Sequence, residues 1–212
     1  MAERSGSMLS RTGSWWNRAI ESRYAFAGFD PSEDMTRVPL VDREDLPEEY
    51  QYLLNEDVLG ERNVFRAIGN NPSVLQSYMR YGTALWEAGD LTARERELVI
   101  LAVARELRSE YEWHQHTEIG REAGVTDTEI AAIGREEWEG FDDRDRALIA
   151  YAAAFARDDV TDEVHDDLAT HCEADTLTGV AMLCSHYVAT ARVLDALSIP
   201  VEGSFVGWQP EA

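Results

Sequence analysis

Three side chains have the types and spacing to do chemistry together. Glu97 stands at the edge of an unbroken apolar run, Leu98 to Ala104. Desolvation there disfavours its charge and suits a carboxylate for acid–base work. Glu112 and His116 follow, four residues apart and so on one face of any helix that carries them. Imidazole is the side chain whose protonation ordinarily changes near neutral pH, which makes His116 the candidate proton carrier. His114 lies two residues away, on another face. The competing explanation for Glu97 is a surface carboxylate in a first helical turn, pairing with Arg94 or Arg96.

Two helices must position these groups. Thr92 and Glu95 have S/T-x-x-E spacing, which predicts a capped helix from Ala93. A stretch apolar all round belongs to a buried helix. Ser109 and Glu112 repeat the spacing, so a second capping box is expected and a second helix from about Glu110. Gly124 suits the positive φ of a helix C-terminus.

The spacing from Glu97 through Ser109 and Glu112 to His116 resembles the carboxymuconolactone decarboxylase superfamily, which includes the AhpD-like alkylhydroperoxidases. In that family a Glu is followed by a Cys-x-x-Cys and then a His. Here Glu97 and His116 keep the Glu and His positions, while Ser109 and Glu112 stand at the two cysteine positions. The resemblance covers roughly Leu46 to Pro200. It implies an all-α, AhpD-like domain with orthogonal and antiparallel helices around a buried central helix, and assembly as a homotrimer or homohexamer. It implies Glu97 and His116 as catalytic residues and no cofactor; Glu112, one turn below His116, Ser109 at the helix start and His186 on the last helix are the supporting candidates. It further implies a cofactor-free lyase acting on a small anionic substrate, a carboxylated lactone or similar acid, with Arg192 or Arg105 holding the anion. Two alternatives stay open: a non-catalytic oligomeric binding protein on the same fold, and a protein that is an AhpD-type peroxidase by family name only, since that mechanism needs both thiols.

The remaining elements follow from periodicity. A helical turn is expected after Pro47, another over Asn63 to Ile68, and a longer helix from Pro72 or Ser73 to Ala88. Asp127 to Gly134 is capped by Thr126 and Glu129. Asp143 to Asp158, Thr161 to His171 and Ala174 to about Leu197 complete the set, the last with a continuous 3.6-residue apolar stripe. No segment shows period-two alternation. Arg94 to Ile100 resembles Arg144 to Ala150, with Ala147 in place of Glu97; duplication and chance similarity explain this equally well. Residues 1–36 are expected to form an N-terminal extension, either poorly ordered or docking through a short helix at Ser14 to Arg23. Residues 37–202 form the domain and 203–212 an irregular tail.

Composition narrows the partners. The chain has 212 residues, enough for a sizeable core. Asp and Glu number 41 against 19 basic residues, for a net charge of −22, and every basic residue is arginine. Such a surface repels nucleic acid and anionic membranes, so neither is expected as a partner. An acidic, lysine-free surface points to a salt-adapted (halophilic) source. With no uninterrupted apolar run of membrane-spanning length and no apolar signal core in residues 1–14, a cytoplasmic location is expected. Cys172 and Cys184 sit in no metal or redox spacing and are expected to be free and buried. A metal at Glu97, Glu112, His116 and His186 would match no standard signature.

Overall fold

The computed structural model describes residues 36–55, 62–87 and 90–209. The extension expected at residues 1–36, with its helix at Ser14 to Arg23, lies outside the described residues except for Thr36.

Among the described residues every regular element is helical. Short 3₁₀ turns at Arg43–Asp45 and Glu48–Leu54 precede α1 (Asn63–Ile68), α2 (Pro72–Trp86), α3 (Ala93–Glu106), α4 (Glu110–Glu122), α5 (Asp127–Arg135), α6 (Asp143–Ala156), α7 (Asp162–Ala169) and α8 (Ala174–Leu197). The turn after Pro47 is therefore tighter than an α-helix.

The centre is α3. Its residues Leu98 to Ala104 are all buried, and it packs against α4, α6 and α8. A helix apolar on all sides needs neighbours on all sides, which fixes the layered arrangement around it. By length and composition α8 could cross a membrane, but half of its most apolar window is buried inside the protein, as a core helix requires.

The expected capping boxes at Thr92 and Thr126 are present, each Thr hydroxyl accepting the N3 backbone N–H while the N3 Glu accepts the Thr N–H. The box expected at Ser109 and Glu112 is absent. Ser109 occupies the N-cap position, but its side chain makes no cap hydrogen bond. The cause lies in the preceding helix. Arg108 adopts φ 53°, and the Ser109 N–H donates to the Ala104 carbonyl at 2.9 Å to close α3. The donor that Glu112 would have capped is already used. Gly124 has the expected positive φ, 95°.

The two similar segments meet face to face at the start of α3 and α6. Arg94 binds Asp145 at 2.6 Å, and Arg144 binds Glu95 at 2.5 Å, so equivalent arginines exchange equivalent carboxylates. Arg94 also binds Glu129 on α5. These pairs join the N-termini of α3, α5 and α6 in a shared network. Only the α3 copy carries a second carboxylate, Glu97, two residues further on.

The irregular C-terminal segment is packed onto this body. Phe205 and Trp208 lie against the main core. The Trp113 indole N–H donates to the Gly207 carbonyl at 2.9 Å, and the Arg105 guanidinium stacks over the Trp208 ring. Glu202 accepts hydrogen bonds from the Asn63 backbone N–H at 2.5 Å, from the Tyr111 hydroxyl at 2.7 Å and from the Gln115 amide. The chain end thus locks α1 to α4.

Candidate functional site

The second turn of α3 brings Glu97 beneath the middle of α4. His116 Nδ1 and Glu97 Oε2 are 2.7 Å apart, with both residues buried at 8% and 3% exposure. Nineteen residues of sequence separate them; the α3–α4 corner joins them. With Nδ1 held by the carboxylate, Nε2 is the ring nitrogen left for a ligand. The ring of His116 also meets Tyr187 edge-on, at 5.0 Å between centroids and 88° between planes.

His116 lines a cavity of about 670 Å³ bounded by α1, α2, α3, α4 and α8. Glu97 is not among the lining residues; it reaches the cavity only through the imidazole. Aromatic groups dominate the wall, including Phe65, Tyr78, Trp86, Tyr111 and Tyr187. Such walls suit a flat, ring-shaped ligand. The Tyr78 hydroxyl is engaged with Thr190 at 2.7 Å.

Glu112 belongs to the same wall. It is 3% exposed, and neither carboxyl oxygen has a hydrogen-bond partner of good geometry. Burial pushes its carboxyl well above the usual carboxylate range, opposed in part by the Ser109 hydroxyl. Tyr187 is also held as a phenol: burial comes first, then the Glu97 and Glu112 carboxyls, with Trp86 opposing.

His186 enters the cavity from α8, packed between Tyr78, at 4.8 Å, and Tyr81, at 5.3 Å. Burial first, and His116 second, lower its pKa to about 4. It is a neutral imidazole at pH 7, and this has a consequence for stability. Unfolded, the ring takes up a proton near pH 6.5; folded, it does so only near 4. In that interval the unfolded state binds the extra proton, so stability falls as pH drops from about 6.5 to about 4. Against His186→Phe, which keeps the ring stacking, the wild type should lose on the order of 2 kcal/mol across that window in urea titrations at stepped pH. A difference independent of pH would show that His186 is not held neutral.

Ser109 is half-buried and lies outside the cavity wall. Neither arginine expected to hold an anion is in place. Arg105 binds the Gly134 carbonyl at 2.7 Å and Glu136 at 2.9 Å, beneath Trp208. Arg192 is exposed and not part of the wall. The arginines in the wall are Arg62 and Arg96, and neither has a carboxylate partner among the described residues. Arg96 is oriented by the Leu91 carbonyl at 3.1 Å and lies over the Trp86 ring at 5.6 Å. Arg96 was visible in the sequence one residue from Glu97, where pairing in the first turn was the simpler reading. Arg62 has no local signal; only the fold of α1 onto α4 brings it there.

Both cysteines are free and buried, Cys172 beneath the α6 N-terminus beside Arg144 and Cys184 in the main core. Burial raises both thiols, which opposes thiolate chemistry. Among the described residues, no group of three or more His, Cys, Asp and Glu side chains is arranged to hold a metal ion.

Residues 72–137, which contain Glu97, Glu112 and His116, match the family model of the carboxymuconolactone decarboxylase family. The fold around that stretch is AhpD-like. No curated protein sequence matches it. Solved structures share the AhpD-like fold. An alkylhydroperoxidase AhpD core, an uncharacterized peroxidase-related protein from Ralstonia eutropha JMP134, aligns with a TM-score of 0.66 and 18% identity, over 83% of this chain and 98% of its own. A peroxidase-related protein from Silicibacter sp. TM1040 aligns at 0.70 and 20%, over 85% and 98%. The debrominase Bmp8, in complex with 2,3,4-tribromopyrrole, aligns at 0.70 and 17%, over 80% and 93%. At such identities the likeness establishes the fold alone. This chain has Ser109 and Glu112 where the AhpD-type peroxidases are expected to carry thiols.

Proposed function

We propose that this protein is a thiol-independent, cofactor-free lyase that decarboxylates a small carboxylated lactone or a similar ring acid. The observation that carries this reading is the buried His116–Glu97 pair, with one ring nitrogen fixed and the other left to an aromatic cavity. Arg62 and Arg96 supply positive charge for the anionic substrate, in a protein whose surface is otherwise strongly acidic. Loss of CO₂ breaks a carbon–carbon bond and leaves its electron pair on the substrate, delocalised onto a ring carbonyl. The His116 imidazolium gives its proton to the carbon, and Glu97 stabilises the imidazolium beforehand. Water then restores the proton to His116. The net change is one carboxylate and one proton in, CO₂ and the protonated ring out. The family-model match supports the reaction class, and the cavity supports the substrate's shape.

The test is CO₂ release from a panel of small carboxylated lactones, alongside thermal stabilisation by the same compounds. Turnover that depends on His116 and Glu97 supports the lyase. Stabilisation without turnover would favour the alternative, an oligomeric binding protein on this fold.

A further inference from the structure

Glu112 is a feature the acid–base pair does not use. Its carboxyl is almost completely buried and forms part of the cavity wall; neither oxygen has a partner of good hydrogen-bond geometry, and the Ser109 hydroxyl is its one nearby side-chain donor among the described residues. Buried polar groups are nearly always paired, and those that are not commonly serve a function. The usual explanation for an acid in the first helical turn, a capping box, is removed by the Ser109 N–H bond to Ala104. Nor does an arginine neutralise it: the ion pairs formed among the described residues leave Glu112 out, including those of the arginines on α3 and α4.

The groups around it decide its state. The Ser109 hydroxyl lies beside it, Tyr78 on α2 and Tyr187 on α8 feel its charge, and His116 on α4 and His186 on α8 share its cavity wall. Glu97 is matched to His116. The hydroxyl of Tyr78 is matched to Thr190, and His186 is neutral. Burial raises the Glu112 carboxyl, as described above.

We infer that Glu112, as an uncharged carboxylic acid, donates a hydrogen bond to an acceptor oxygen of a planar carboxylated lactone bound in the cavity. This rests on the proposed decarboxylation and adds a second role to it. As the carbon–carbon bond breaks, negative charge collects on the lactone carbonyl oxygen. An acid kept neutral in an apolar wall can meet that oxygen as a preoriented donor. Glu112 keeps its proton; the proton that reaches carbon comes from His116. The cavity thus divides the labour: Arg62 and Arg96 for the ligand's anion, Glu112 for its oxygen and His116 for its carbon.

The infrared spectrum reads this directly in the full-length protein, with coumalate, a planar carboxylated lactone, as the probe. At neutral pH the wild type should show the C=O stretch of a protonated carboxylic acid, absent from Glu112→Gln. Coumalate should move that band to lower frequency in the wild type, a result that requires no variant to fold. Glu112→Gln, which retains an N–H donor, should bind coumalate within about threefold of wild type, while Glu112→Ala should bind at least about tenfold more weakly, as expected for loss of a hydrogen bond to a charged or developing acceptor. Absence of the band at neutral pH, or a band that coumalate leaves in place, would overturn the assignment. An unmoved band together with His116-dependent CO₂ release would remove the role of Glu112 and leave the lyase standing. A shifted band without CO₂ release from any carboxylated lactone would do the reverse.

Discussion

His116→Ala should reduce kcat/KM for CO₂ release by about 10²- to 10⁴-fold, the usual contribution of a positioned proton carrier. Glu97→Gln should cost a similar factor although Glu97 touches no part of the cavity. The amide keeps the shape of the carboxylate and loses the charge that stabilises the imidazolium 2.7 Å away. The loss should fall on kcat and leave KM nearly unchanged, since substrate contacts are made by other residues. The double variant should be no slower than His116→Ala alone, because the two side chains act as one unit. Steady-state kinetics on the three proteins, with helicity followed by circular dichroism, measures this. Losses that multiply in the double variant would mean that Glu97 and His116 act separately.

Trp113→Ala should have the largest effect on stability. Trp113 is 0% exposed on α4, its indole N–H holds the Gly207 carbonyl, and its ring lies 5.4 Å from that of Trp208. Truncating a fully buried Trp costs about 3–5 kcal/mol, which in a domain of this size lowers the unfolding midpoint by on the order of 10 °C. The cavity and the loss of the C-terminal segment both contribute. Gly134→Ala separates them. A Cβ there would stand 2.0 Å from the Trp208 carbonyl oxygen, which no backbone contact tolerates, so the segment must move while the Trp113 side chain stays. Thermal unfolding should place Gly134→Ala between the wild type and Trp113→Ala, with earlier proteolysis near residues 205–209 in both variants. A Trp113→Ala midpoint within a degree or two of wild type would show that the segment is not part of the folded unit.

How much of this could be read in advance depends on how local the cause is. Helices α2, α3, α5 and α8 announce themselves through Pro72, Thr92, Thr126 and an apolar stripe, all signals carried within one or two turns. Glu97 and His116 were legible because one corner joins their helices and the superfamily spacing survives. Ser109 misled for a physical reason: its N–H serves the end of α3, and only the left-handed backbone at Arg108 decides that. The anion-binding arginines were misplaced because cavity walls are made by tertiary contact. Arg62 lies before a six-residue helix with no periodicity to orient it. The attachment of Trp208 to Trp113 and Gly134 likewise spans most of the domain and has no pattern in sequence.

Chemistry without thiols is tested most directly by one measurement. CO₂ release from carboxylated lactones should be compared in wild type, in Cys172→Ser/Cys184→Ser, and in His116→Ala. Turnover in the cysteine-free protein should stay close to that of wild type, and His116→Ala should lose nearly all of it. Turnover that disappears with the cysteines and survives without His116 would contradict chemistry without thiols.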